Sequence, residues 1–170
     1  MKEQLSIEKM KYTACVFTGH RELKADFSVD ALKKAILTRL EQGVKVFYNG
    51  MASGFDLLSA ETLLAFRKDY DFKLVACIPC PKQSKSYTPK EKALYDEILA
   101  NSDEIVMVND HYFNNCFLVR NDYMVERSDC MIAYLTENKG GTAYTVRKFR
   151  KNKGEDILFV NNKGSDTSPV

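Results

Sequence analysis

At 170 residues and 45% hydrophobic content, the chain is long enough to bury one substantial core and short for two ordinary domains. A formal net charge of +2 neither selects nor excludes an anionic partner, because a local patch matters more than the sum. There is no run of 18 apolar residues, and Met1-Lys2-Glu3-Gln4-Leu5-Ser6 lacks the apolar core of a signal peptide, so no membrane partner and a cytoplasmic location are expected.

After a polar leader over residues 1–11, Tyr12-Thr13-Ala14-Cys15-Val16-Phe17-Thr18 predicts a buried first strand that stops at Gly19-His20-Arg21. Leu32, Ala35, Ile36 and Leu40 share one face of a helix over residues 29–42, which Gly43 ends. Val44-Lys45-Val46-Phe47-Tyr48 predicts a second strand, and Leu57, Leu58, Ala60, Leu63, Leu64, Ala65 and Phe66 a largely buried helix. Phe72-Lys73-Leu74-Val75-Ala76-Cys77-Ile78 reads as a third strand, broken by Pro79 and Pro81.

Thr88-Pro89-Lys90-Glu91 combines a capping-box spacing with proline at the first helical position, which predicts a helix over 89–101 with Leu94, Ile98 and Ala93 as its apolar line. Ile105-Val106-Met107-Val108 follows as a fourth strand, and residues 117–127 as a helix with Leu118, Tyr123 and Met124 inward. Cys130-Met131-Ile132-Ala133-Tyr134-Leu135 is the fifth strand, Gly140-Gly141-Thr142 opens a further helix, and Ile157-Leu158-Phe159-Val160 is a short last strand. The Asn, Gly, Ser and Pro tail, residues 161–170, is expected to be flexible.

Strands alternating with helices predict an α/β fold: a Rossmann-like three-layer sandwich with a mainly parallel sheet, as a single domain over residues 12–160. Ligands of such sheets bind outside the carboxyl ends of the strands. Segments 18–21, 49–56, 79–87, 109–115 and 140–142 all fall on that edge.

Two glycine-rich strand-to-helix corners stand out there, one with Gly50, Ser53 and Gly54 and the other with Gly140, Gly141 and Thr142. Unpaired N–H groups at a helix start lie at the positive end of its dipole, and a glycine lets the backbone touch an anion. Asp56 can cap the first helix or bind a ligand hydroxyl, and His20 reads as a pocket donor beside Gly19 and Arg21. Arg120-Asn121 suits a phosphate fork with an amide neighbour, and a solvated helix face accounts for the pair equally well.

No G-x-G-x-x-G follows the first strand, the second ends in Asn49 rather than an acid, and no Walker motif occurs, so neither NAD nor ATP nor any other cofactor is expected. His20 and His111 are the only histidines and lack an acidic cluster, which argues against a metal site. Five cysteines is an odd number, and Cys15, Cys77 and Cys130 sit in apolar runs, so buried thiols and no structural disulfide are expected. Cys77-Ile78-Pro79-Cys80 has redox spacing, yet Cys77 falls inside a strand, which favours a packing role. Arg147, Lys148, Arg150, Lys151 and Lys153 form a basic run that could follow a nucleic-acid backbone, although cations at a helix end also complement its dipole.

Cys15-Val16-Phe17-Thr18-Gly19-His20-Arg21, Asn49-Gly50-Met51-Ala52-Ser53-Gly54-Phe55-Asp56, Arg120-Asn121-Asp122-Tyr123-Met124-Val125 and Gly140-Gly141-Thr142-Ala143-Tyr144-Thr145 occur in the order seen in the YpsA-like family of the SLOG superfamily, which the chain resembles from Tyr12 to Val160. That superfamily includes the Lonely Guy phosphoribohydrolases and the single-strand-binding DNA-processing protein A. The resemblance implies a Rossmann-like domain binding nucleotides, nucleotide-derived ligands or nucleic acid, and a link to cell division or stress in Gram-positive bacteria.

The enzyme branch carries a catalytic Glu in G-G-x-G-T-x-x-E, where this chain has Thr145. Met124-Val125-Glu126-Arg127-Ser128 retains the Met, Glu and Arg of the second motif but not its Lys, so Asp56 and Glu126 are the candidate substitutes for the missing acid. The leading expectation is a sensor-like or regulatory domain binding a nucleotide-derived small molecule, with Gly50, Gly54, Gly141 and Thr142 on phosphate and Arg21, Asp56, Arg120 and Asn121 on sugar, base or phosphate. The alternatives are a nucleotide or nucleoside N-glycosidase and a single-stranded nucleic-acid-binding module, and a homodimer is expected from the relatives.

Overall fold

Alternation along each strand decides which helices it meets. The structure, a computed structural model, describes residues 12–161. Strands β1 (Ala14–Gly19), β2 (Val46–Asn49), β3 (Lys73–Ile78), β4 (Glu104–Met107), β5 (Cys130–Tyr134) and β6 (Ile157–Phe159) form one sheet in the order β4-β3-β2-β1-β5-β6, every ladder parallel. Helices α1 (Val29–Glu41), α2 (Phe55–Leu64), α3 (Pro89–Asn101), α4 (Cys116–Glu126) and α5 (Gly140–Lys153) connect them.

Cys15 and Phe17 of β1, Leu74 and Ala76 of β3 and Ile132 of β5 pack with residues of α1, α2 and α3. Their neighbours Val16, Val75, Cys77, Met131 and Ala133 pack with Met124 and Val125 of α4 and Val146 and Phe149 of α5. A period of two that is apolar on both faces requires helices on both sides, which is the Rossmann-like three-layer arrangement anticipated above.

Local chemistry sets the helix starts. Ser28 Oγ accepts the Ala31 N–H at 3.1 Å ahead of α1, and Thr88 Oγ1 accepts the Glu91 N–H at 3.2 Å ahead of α3, with proline in its first turn. The inward line of α3 differs from the expected one: Tyr95 and Ile98 are buried and Ala93 is exposed. Tyr95 stacks edge-on to Tyr87 with centroids 5.6 Å apart and its hydroxyl donates to Gln83 at 3.1 Å, so burying its ring outweighs burying the Ala93 methyl. On α4, Arg120 is buried with Met124 and Val125, while Leu118 and Tyr123 are only half-buried.

Asn161 forms an isolated antiparallel bridge with Phe27, and its Nδ2 donates to the Leu135 carbonyl at 2.9 Å. The expected leader over 1–11 and the tail over 162–170 lie outside the described residues. Among the described residues no helix is long and apolar enough to cross a membrane, and all five cysteines are free thiols.

Chain order reverses once in the sheet. Strands β1 to β4 step outward in one direction, after which β5 lands on the opposite side of β1 with Cys15 beside Cys130 and Gly19 beside Tyr134. The connections leaving β1 and β5 therefore part company at their carboxyl ends, and a crevice opens between them.

Candidate anion-binding cleft

That crevice is a cleft of about 440 Å³. Thr18, Gly19, His20 and Arg21 supply one wall, Phe117, Arg120 and Asn121 of α4 another, Asp56 the base, and Gly141 and Thr142 close it from the start of α5. Tyr112 and Asn114 stand on the rim.

The corner after β2 satisfies much of its own backbone. Asn49, fully buried, accepts the Met51 N–H at 2.8 Å and donates to the Asp56 carbonyl at 2.9 Å and to Ser59 Oγ at 3.2 Å. Asp56 Oδ2 accepts the Ala52 N–H at 3.2 Å, and the His20 carbonyl accepts the Phe55 N–H at 3.2 Å. The glycines here admit other parts of the protein. A Cβ on Gly50 would lie 2.7 Å from Arg120 Cζ, and one on Gly54, whose φ is +81°, would lie 2.0 Å from the Arg21 carbonyl oxygen.

The Gly50 carbonyl accepts from Arg120 Nη1 and, at 2.8 Å, from Gln83 Nε2. Ser53 bonds Glu91 at 2.5 Å, and both it and Gly54 border a second, shallower cavity of about 350 Å³ beside Leu57 and Leu94. Of this corner, Ala52 and Asp56 face the main cleft, whereas Gly50, Ser53 and Gly54 lie behind or beside it. The two glycine corners expected to share one cleft are not brought together in it: Gly141 and Thr142 of the second line it, and Gly50, Ser53 and Gly54 of the first do not.

The corner after β5 is open. Helix α5 begins without a side-chain cap, Gly140 has φ +87°, and a Cβ on Gly141 would meet nothing closer than Asn121 Nδ2 at 4.0 Å. Its first-turn N–H groups have no partners within the helix and stand at the positive end of a 14-residue dipole. Asn121 is locked beside them: its Oδ1 accepts from Arg120 Nε at 2.7 Å and its Nδ2 donates to Thr145 Oγ1 at 2.9 Å. Thr145, fully buried, donates in turn to the Gly141 carbonyl at 2.8 Å, so the residue standing in place of the enzyme branch's glutamate is an anchor for Asn121.

Charge at the base of the cleft is unusual. Asp56 is 6% exposed, and its Oδ1 is buried without a hydrogen-bond partner. Burial pushes its carboxyl up from the usual 3.8 to about 6, against the opposing pull of Arg120, the Ala52 N–H and Arg21. Arg120 is itself 4% exposed and donates to the Gly50 and Cys77 carbonyls, so the solvated-face reading of this residue does not apply. Burial lowers its guanidinium pKa, which Asp56 partly restores. Exposed Arg21 and buried Arg120 both lie over the Phe117 ring, with guanidinium carbons 5.6 and 5.9 Å from its centroid.

His20 Nε2 accepts the Thr136 N–H at 2.9 Å, which leaves Nδ1–H as the ring's donor in the neutral form. Burial lowers its pKa from the ordinary value, which favours the neutral ring that this accepted hydrogen bond requires. Glu126 stands elsewhere: it is exposed and pairs with Arg127 at 3.7 Å, outside the cleft. In the basic run, Arg147 donates to Asn138, Lys148 pairs with Asp122, Arg150 with Glu155, and Lys153 donates to the Glu126 carbonyl. Among the described residues no group of three or more His, Cys, Asp or Glu side chains could hold a metal.

Tyr112, inside segment 109–115 of the carboxyl edge, and Phe117 also line the cleft and belong to none of the motifs singled out above. Tyr112, 68% exposed among polar residues, is an aromatic at a loop tip on the sheet's carboxyl edge, which is a readable signal. Phe117 stands three residues before Arg120 on one helix face, a spacing that brings ring and guanidinium together.

A parallel sheet with its switch point between β1 and β5, an uncapped helix start and a buried carboxylate in one crevice define a Rossmann-like domain with a polar cleft. The sequence model of the YpsA family, described as the YspA SLOG family, matches residues 11–162, and the chain belongs to that family. A UPF0398 protein of Bacillus cereus strain B4264 is 26% identical over 128 residues, covering 74% of this chain and 70% of that protein. One from Bacillus thuringiensis strain Al Hakam is 25% identical over 134 residues, covering 75% and 73%.

Among solved structures, the DNA processing protein A of Helicobacter pylori, described with a single-stranded DNA binding mode, superposes with a TM-score of 0.60 at 18% identity over 92% of this chain and 67% of that one. DNA processing protein A of Streptococcus pneumoniae gives 0.62 at 21% identity over 95% of this chain, which spans about half of the pneumococcal one (54%). These two likenesses establish the fold.

Proposed function

We propose that the chain binds a nucleotide-derived small molecule in the β1/β5 cleft and serves a sensor-like or regulatory role. One observation carries the reading: Asp56, a buried carboxylate whose Oδ1 lacks a partner, and the uncapped start of α5 border the same cavity. The first accepts hydroxyl donors such as those of a sugar, the second suits a phosphate, and Arg21 adds an exposed cation at the mouth. Membership of the SLOG family supports the same class of ligand, and a cell-division or stress role remains part of the proposal.

A thermal-shift screen of nucleoside monophosphates, ADP-ribose and cyclic dinucleotides tests it, with a raised melting temperature expected for at least one. Gly141→Val is the informative variant, because Gly141 lines the cleft and a Cβ there meets nothing closer than Asn121 Nδ2 at 4.0 Å. Loss of the shift in Gly141→Val supports the site. No shift with any compound, or a shift that survives the substitution, overturns it.

Two other readings share the cleft. The likeness to the Helicobacter pylori DNA processing protein A, described with a single-stranded DNA binding mode, favours single-stranded nucleic acid, for which oligonucleotide affinity should fall steeply with salt. An N-glycosidase would rest on Asp56, since Glu126 is outside the cleft, and release of free base from nucleoside monophosphates is its readout. Pairing of two copies completes the proposal, with light scattering as its measurement.

A further inference from the structure

The spacing of Cys77-Ile78-Pro79-Cys80 suggests a dithiol, but the fold sends its two sulfurs apart. Cys77 lies inside β3 and packs with Met124 and Val125, whereas Cys80, two residues beyond the strand, meets α4. Cys80 Sγ is 3.8 Å from Cys116 Sγ, and both residues are buried. The backbones around them are already fastened to one another, since Asn109 Nδ2 donates to the Pro79 carbonyl at 2.8 Å and to the Cys116 carbonyl at 3.4 Å. Closing the sulfurs to the roughly 2.05 Å of a covalent bond requires a movement of under about 2 Å, within reach of side-chain rotation.

We propose that Cys80 and Cys116 form a reversible disulfide that pins the loop over residues 79–86 to the first turn of α4. The bond joins the two elements that converge on Gly50, whose carbonyl accepts from Gln83 of that loop and from Arg120 one turn along α4. It therefore stiffens the cleft wall that carries Phe117, Arg120 and Asn121. The oxidant is a hydroperoxide such as hydrogen peroxide. The Cys80 sulfur attacks one peroxide oxygen as its thiol proton passes to the other, the O–O bond breaks, and that oxygen leaves as water, giving a sulfenic acid on Cys80. Cys116 sulfur then attacks the Cys80 sulfur, its S–O bond breaks, and the hydroxyl leaves with the Cys116 proton as a second water. Two thiols lose two electrons in all, and a dithiol reductant returns them.

The pair is independent of the ligand proposal, and its test needs no ligand. The full chain is treated with hydrogen peroxide, blocked with N-ethylmaleimide, unfolded and mapped by mass spectrometry, beside a melting curve. The expected result is one cross-linked peptide pair holding Cys80 and Cys116, the other three of the five cysteines still alkylatable thiols, and a melting temperature raised on the order of 10 °C that dithiothreitol reverses. Cys80→Ser should lose both the cross-link and the rise. Five alkylatable thiols after oxidation, a cross-link through Cys15, Cys77 or Cys130, or over-oxidation of Cys80 without a cross-link overturns the proposal. Should Cys80→Ser fail to fold, the map of the unsubstituted protein decides alone.

Discussion

Asp56→Asn should trade ligand binding for stability, and the exchange should depend on pH. The Asp56 carboxyl titrates near 6 in the folded protein against 3.8 ordinarily, so between those values the folded state holds the proton more tightly than the unfolded chain does. Folding stability from this group consequently falls as pH rises through that window and levels off above about 6. The ionised form costs about 1 kcal/mol at pH 4.5 and about 3 kcal/mol at pH 7.5. Asparagine cannot ionise, and whatever fixed cost its amide brings is the same at both values. Relative to the unsubstituted protein, Asp56→Asn should gain about 2 kcal/mol between pH 4.5 and 7.5, a difference that urea denaturation at the two pH values measures. The same variant should lose the thermal shift produced by any ligand of the cleft. A stability difference independent of pH, or one that favours aspartate as pH rises, would refute the account of Asp56 as a carboxylate held ionised in a buried site.

Gly54→Ala should cost about 2 kcal/mol or more in a denaturant titration, because it combines a φ of +81° with a Cβ only 2.0 Å from the Arg21 carbonyl oxygen. Glu126→Gln should change stability by less than about 0.5 kcal/mol and leave affinity for any cleft ligand untouched by calorimetry, since the residue is exposed and away from the cleft.

Much of the architecture is written in short-range chemistry. The capping box at Thr88 and Glu91, the apolar face of Leu32, Ala35, Ile36 and Leu40, and strands apolar on both faces each depend on residues within a turn or two of one another, and they suffice for a parallel sheet between helix layers. The five loops that crowd the carboxyl edge follow from the same alternation, because right-handed crossovers return every strand in one direction.

Which groups on that edge stay open is decided at longer range. Gly50 and Gly141 both belong to glycine-rich strand-to-helix corners, yet the carbonyl of the first is taken by Arg120, 70 positions away, while the start of α5 at the second has no side-chain cap. Arg120 reads equally as a solvated or a buried side chain until α4 packs against β3 and its Nη1 reaches the Cys77 carbonyl. Cys80 sits three residues from Cys77 in the chain and finds its sulfur contact at Cys116, because β3 ends between the two and the chain turns toward another helix. Propensity, capping and periodicity act between neighbours and are legible in the chain. The partners of a backbone N–H, a guanidinium or a thiol depend on which elements the strand order β4-β3-β2-β1-β5-β6 brings side by side, and that order is settled by packing of the whole sheet.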